Sequence, residues 1–308
     1  MRVFVTGASG WIGSAAIDEL LAAGHEVTGL ARSDASAVAL QNKGVNVRRG
    51  DLDDLDSIRG GAETADAVLH LANKHDWSNP AASNAAERAA VQTIGDVLAG
   101  SSRPFLFAAG VAALTQGRPA NENDRSPFHG PESPRGGAEN LAFEFAERGV
   151  RVVSLRFAPT VHGTGDHGFI AAIAAIARQR GVSGYPADGT NRWAAVHRSD
   201  AARLITLGLA KAASEDPGAG LRLHAVAEEG VPSREIAEAI GRVFDLPVTP
   251  IDTADVPDHF GWIGTFFGWE MSATSIATQQ LLGWQPVGPT LIEDLAAGAY
   301  SVRTPATA

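Results

Sequence analysis

The chain contains no cysteine. Disulfides, thiol nucleophiles and thiolate metal sites are therefore excluded. Tyrosine is nearly absent, represented by Tyr185 and Tyr300 alone, and lysine occurs only as Lys43, Lys74 and Lys211. Chemistry that needs either side chain has few places to find it. No uninterrupted apolar run is long enough to span a bilayer, and no signal peptide precedes the first predicted strand, so the expected location is cytoplasmic. Positive charge is also scarce: 25 lysines and arginines face 35 acidic residues, a net charge of −10. That balance opposes docking on nucleic acid or anionic membrane surfaces, whose phosphates would repel it. Asp166 and His167 are merely adjacent and no H-E-x-x-H pair occurs, so no metal site is expected. What remains is a 308-residue chain, 44% hydrophobic and 19% charged, ordinary for a globular protein and able to bury a large core.

The strongest positive signal lies at the amino terminus. Arg2–Thr6 reads as a strand, Gly7-Ala8-Ser9-Gly10-Trp11-Ile12-Gly13 follows at once, an apolar helix runs to Gly24, and a second strand covers Glu26–Ala31. Strand, glycine turn, helix and strand in this order aim helix amides at a pyrophosphate. Gly7 permits the turn, Gly10 lets a phosphate approach the backbone, and Gly13 lets the helix lie close to the sheet. Gly7, Ser9, Gly10, Trp11, Ile12 and Gly13 are the expected pyrophosphate cradle; the bland alternative is a tight turn with no ligand.

Strands predicted at 45–49, 66–71, 104–109 and 151–157 alternate with helices at 53–59, 80–99 and 135–148. The pattern implies an α/β fold: a doubly wound parallel sheet, with ligands at the carboxyl ends of its strands. Residues 1–160 are expected to form this dinucleotide-binding core, and 161–308 mainly a smaller substrate lobe interleaved with it. There, helices are predicted at 165–180, 199–212, 233–244, 274–282 and 291–300, with a strand at 192–197. The aromatic segment 255–271 reads either as core packing or a subunit contact, or as a wall over an apolar pocket.

The end of the second strand bears on cofactor choice. An acid there would bind the adenosine ribose and select NAD, whereas an arginine accommodates a 2′-phosphate. The acid position holds Ala31, followed by Arg32 and Ser33, which suit a phosphate. NADP is therefore expected over NAD, with Asp34 as the complication, although that residue also suits a helix cap. Otherwise Arg32 is a solvated surface charge.

Six motifs in order resemble the extended short-chain dehydrogenase/reductases, the NAD-dependent epimerase/dehydratase family: Thr6-Gly7 to Gly13, Gly50-Asp51-Leu52, His70-Leu71-Ala72, Leu155-Arg156 with Val161-His162-Gly163, Val196 to Ala202, and Leu282 to Pro286. The resemblance implies a Rossmann core, Asp51 and Leu52 beside adenine, Leu71, Ala72 and Asn73 near the ribose, Pro159 in the cofactor set, and a homodimer. It also exposes a gap. The family's Y-x-x-x-K falls near Pro131 and Arg135, and its serine region reads Ala108-Ala109-Gly110. The chain thus resembles an atypical subgroup without the usual acid, in which Arg135 partly replaces the lysine as a ribose donor.

A replacement acid is sought in loops after the strands. His75 and His162 are the candidate catalytic residues, because imidazole titrates near neutral pH; each is also readable as a structural residue. His129 and His167 are weaker candidates, and His70 and His197 read as structural. Trp77, His167, Arg192 and Trp193 are the expected substrate contacts. The function expected is NADP(H)-dependent reduction of C=O or C=N in a small organic molecule. The alternatives are a non-catalytic NADP-sensing regulator and an epimerase or dehydratase that retains NAD.

Overall fold

A computed structural model describes residues 1–76, 78–214 and 218–301. The first half runs β1 (Arg2–Thr6), α1 (Trp11–Ala22), β2 (Glu26–Ala31), α2 (Asp34–Asn42), β3 (Asn46–Arg49), α3 (Leu55–Thr64), β4 (Ala67–His70), α4 (Pro80–Leu98) and β5 (Pro104–Gly110). It continues through α5 (Ala138–Glu144), β6 (Arg151–Phe157), β7 (Thr160–His162), α6 (Phe169–Arg180), β8 (Ser183–Pro186), β9 (Arg192–His197), α7 (Arg198–Ser214), β10 (Leu221–Ala225) and β11 (Glu228–Pro232). The chain then forms α8 (Ser233–Phe244), β12 (Val248–Ile251), α9 (Val256–Phe260), α10 (Gly264–Phe267), α11 (Ile276–Leu282) and α12 (Leu291–Ala296). Among the described residues no helix is long and apolar enough to cross a membrane.

Seven strands form the central sheet in the order β10-β6-β5-β4-β1-β2-β3, and every pairing in it is parallel. This is the Rossmann arrangement, and its order reverses between β1 and β4, which places the ligand crevice at their carboxyl ends. Both faces are covered, as parallel sheets require. In β1, Val3 and Val5 enter the core shared with α1 and α7, while Phe4 enters the core shared with α3, α4 and α5. That is the two-residue period of a strand buried on both sides.

The second lobe is joined to this core by β9. Ala194 and Val196 face the Rossmann core, whereas Trp193 and Ala195 face a third apolar cluster built from α6, α8, α9, α10 and α12. Two small sheets belong to this region, β11-β9-β7 and β12-β8. The central sheet takes its edge strand β10 from residues 221–225, so the later chain returns to the core.

Two predicted helices are shorter than expected. The 135–148 segment is interrupted at its start because Arg135, Gly136 and Gly137 all have left-handed backbones, with φ of 54°, 61° and 61°; α-helix begins only at Ala138. The 165–180 segment is helical only from Phe169, since Gly165 has φ 87° and the Gly168 amide donates to Asp166 Oδ1 instead of continuing a helix.

The shortened α5 is anchored by a buried charge. Arg156, on β6, is fully buried and donates through Nε to Glu139 Oε1 at 2.7 Å, an oxygen that also accepts from Ser154 Oγ at 2.7 Å. Removing one partner of such a pair strands the other in a low-dielectric interior. Glu139→Ala should therefore cost about 3–5 kcal/mol of unfolding free energy, read by urea denaturation; a loss below about 1 kcal/mol would show that Arg156 finds other compensation.

Candidate cofactor and active site

The glycine turn has the geometry that an anion cradle needs. Gly7 has φ +68°, and a Cβ on it would lie 2.7 Å from the Ala72 amide nitrogen. A Cβ on Gly13 would lie 2.1 Å from the Gly7 carbonyl oxygen, so α1 can rest on the turn only with glycine there. At Gly10 the only near neighbour of such an atom is the Gly7 carbonyl, at 3.1 Å, leaving the outer side open. Gly10 is also the N-cap of α1, with no side-chain cap and no acid in the first turn. Uncapped amides, a helix dipole and open space above them fit a pyrophosphate.

Trp11 ties this helix start to the rest of the cleft. Its indole Nε1 donates to the Val161 carbonyl at 2.7 Å, the Arg198 guanidinium lies 4.2 Å above its ring, and the His167 ring meets it edge-on at 5.9 Å. His167 thus stands at the cofactor turn. Its loop is held from below, where Tyr300 Oη donates to the buried Asp166 at 2.8 Å. Burial raises the pKa of both Asp166 and Tyr300.

Arg32, expected at the adenosine end, is exposed at the carboxyl end of β2. Ser33 is the N-cap of α2, its hydroxyl engaged in a capping box with Ser36. Arg49, paired in register with Ala31, donates to the Ser33 carbonyl and to Asp34 Oδ1. Asp34 therefore points to an arginine, which weakens it as a ribose acceptor. Asp51 Oδ1 accepts from the Asp53 and Asp54 amides, while Leu52 is buried against the sheet. Leu71, Ala72 and Asn73 form the half-buried loop that abuts Gly7, and Pro159 lies between β6 and β7.

Arg135, expected at the family's lysine position, belongs to a charge network. Arg135 Nη2 donates to Glu87 Oε1 at 2.5 Å, and Asn73 Nδ2 donates to Glu87 Oε2 at 2.6 Å. Asn73 Oδ1 in turn accepts from the His75 amide at 2.8 Å, and His75 has a left-handed backbone, φ 51°. Glu87 itself is 1% exposed. This carboxylate therefore couples the Arg135 turn to the loop that carries His75. His75 is exposed at the lip of the cleft, yet the protein packed around it, and then the Arg135 guanidinium, hold its pKa below the ordinary imidazole value. Glu87 opposes that shift, and His167 adds to it.

Glu87 is the site residue that the sequence reading missed. The signal was present: it lies on the α4 stripe Ser83, Glu87, Val91, Ile94 and Leu98, all buried. An acid on an apolar helix face demands a buried partner.

Other expectations are corrected. His162 is fully buried, its Nδ1 donating to Asp294 Oδ2 at 2.6 Å and its Nε2 lying 3.7 Å from Glu228 Oε1. An imidazole enclosed between β7, β9 and α12 cannot reach a ligand, so it is withdrawn as an acid. Trp193 is likewise fully buried, with Phe169 at 5.6 Å and Phe267 at 5.3 Å, and is a core residue, not a substrate contact. Arg192 lies beside it, exposed, and pairs with Glu270 at 3.4 Å. Trp77 lies outside the described residues. His129 is exposed, 3.4 Å from Asn140 Nδ2, and His70 is buried, sharing a 2.7 Å hydrogen bond with Thr6. Among the described residues no group of three or more His, Cys, Asp or Glu side chains is placed to hold a metal.

The model of the NAD dependent epimerase/dehydratase family matches residues 3–220. The chain is 42% identical over 301 residues to uncharacterized protein C2A9.02 of Schizosaccharomyces pombe, covering 97% of this chain and 100% of that one. It is 39% identical over 305 residues to uncharacterized protein YLL056C of Saccharomyces cerevisiae, covering 98% and 100%. In fold it is similar to a UDP-glucose 4-epimerase of Thermus thermophilus in complex with NAD, with a TM-score of 0.72, 21% identity and coverage of 97% and 98%.

The electrostatics of the network can be read directly by histidine NMR titration. Arg135→Gln should raise the His75 midpoint, because it removes a nearby cation, and Glu87→Gln should lower it further. Equal midpoints in all three proteins would show that His75 does not sense this pair.

Proposed function

Because the chain belongs to the NAD-dependent epimerase/dehydratase family, we propose that it is an NADP(H)-dependent oxidoreductase that reduces C=O or C=N in a small organic molecule without a Tyr-Lys pair. The observation that carries this reading is the cradle itself: Gly7, Gly10 and Gly13 shape an open, uncapped helix terminus at the sheet's reversal point. Gly7 to Gly13 would hold the pyrophosphate. Arg32 would meet the 2′-phosphate with Arg49 behind it, and Arg135 and Asn73 would face the ribose. When bound, the cofactor supplies the hydride.

The chain's own residues must then supply a proton to the oxygen or nitrogen that accumulates charge. We assign this role to His75. Its loop follows β4, it is exposed at the cleft, and Asn73, Glu87 and Arg135 fix its backbone. Positioned proton transfer is worth about 10²–10⁴-fold in rate. Arg135 remains a cation through this step and is a poor proton source. The lowered pKa of His75 makes its protonated form a stronger acid but a scarcer one, so reduction should gain speed as pH falls.

Two measurements test this. Calorimetry should show NADP binding more tightly than NAD. Arg32→Ala should weaken NADP by about 10–100-fold, the worth of a charge-assisted contact, with NAD unchanged; tighter NAD binding in the wild type would contradict the cofactor assignment. Oxidation of reduced cofactor, followed by absorbance against ketone, imine and enone panels, should show kcat/KM rising as pH falls toward a midpoint below the usual imidazole value of about 6.5. His75→Ala should lower turnover about 10²-fold or more and flatten that profile. Tight binding with no turnover on any panel would favour a nucleotide-sensing role instead.

A further inference from the structure

The aromatic residues of the second lobe divide by exposure. Phe260 and Phe267 are buried, but Trp262 is 46% and Trp269 43% exposed. These two indoles are joined through a continuous row. Phe169 stacks on Phe266 with centroids 5.8 Å apart and planes 16° apart, Trp262 meets Phe169 edge-on at 5.9 Å, and Trp269 meets Phe266 at 5.3 Å. The row rests on buried Trp193.

The row starts at Phe169, two residues after His167, whose ring meets Trp11 edge-on at 5.9 Å. At the other end Trp269 walls a hollow of about 360 Å³ between the 186–191 turn and the 253–268 segment, within the size range of small-molecule pockets. Large exposed apolar patches mark binding surfaces. The neighbouring cation is already committed: Arg192 pairs with Glu270 through its guanidinium, and its amide donates to the same carboxylate at 2.9 Å. This face therefore carries two exposed indoles and a neutralised arginine, the opposite of what a diphosphate requires.

We propose that this row is the substrate wall, and that the substrate is an apolar, ring-bearing carbonyl compound, not a sugar nucleotide. The inference rests on the reductase reading and goes beyond it in naming the substrate class. Rings of the ligand lie against the exposed parts of Trp262 and Trp269, with the carbonyl toward His167 and His75.

The probes are 2-acetylnaphthalene, acetone and UDP-glucose, titrated by calorimetry into the NADP-saturated full chain and, separately, offered with reduced cofactor. The naphthyl ketone should bind, and Trp262→Ala and Trp269→Ala should each weaken it about three- to tenfold, the worth of one aromatic contact. Preserved NADP affinity in each variant establishes that it is folded. UDP-glucose should not bind, and reduction of the naphthyl ketone should exceed that of acetone in kcat/KM. Tighter binding of UDP-glucose, absence of ketone binding, or ketone affinity indifferent to both variants would overturn the proposal. So would Trp262→Ala converting a dimer to a monomer in gel filtration with ketone affinity unchanged, since the row would then be a subunit contact. Ketone binding without turnover would leave the wall standing and sink the reductase reading.

Discussion

The contact between the start of α1 and the Gly7 carbonyl constrains everything around it. A methyl group on Gly13 would sit 2.1 Å from that oxygen, so the helix axis is set by the absence of one carbon. With the helix so placed, its uncapped amides open on the crevice between β1 and β4. Gly7 in turn packs on the Leu71–Ala72 backbone, which fixes where the His75 loop leaves β4. Trp11 carries the constraint across the cleft to Val161 and His167. The glycine turn, the His75 loop and the Trp11 contacts thus meet at one close packing.

The second organising element is the buried carboxylate of Glu87. A fully desolvated acid is costly unless paired and hydrogen-bonded, and here both oxygens are engaged, by Arg135 and by Asn73. Substituting a guanidinium for the expected ammonium changes the chemistry at this position. Arginine binds through a planar fork and holds its proton, so the reductase proposed above draws its proton from the neighbouring His75 loop. Arg135 and His75 are linked through one acid, and the left-handed backbone at each is sustained by hydrogen bonds from their surroundings. Conformations of this kind concentrate at functional sites.

The Rossmann half was legible because its rules are local. Short apolar runs mark β1, β4, β5 and β6, and the spacing of Gly7, Gly10 and Gly13 marks the turn. The interruption at Arg135 was not legible, since two glycines inside an otherwise helical pattern are as compatible with a weak helix as with a left-handed turn. His162 misled because position in a motif says nothing of enclosure; its partner Asp294 is 132 residues away. Trp193 misled for a related reason. Strand alternation places it on one face of β9, but only the packed lobe shows that this face is closed. Within the aromatic segment Phe260 and Phe267 are core, whereas Trp262 and Trp269 are exposed.

What the glycine turn does in solution decides whether this chain holds a dinucleotide. Hydrogen exchange of the backbone amides from Gly7 to Gly13, followed with and without saturating NADP, addresses it most directly. Strong slowing confined to this turn and the first turn of α1 is the outcome expected if those amides take up a pyrophosphate. Exchange unchanged by NADP and by NAD would mean that the turn is only a tight connection between strand and helix.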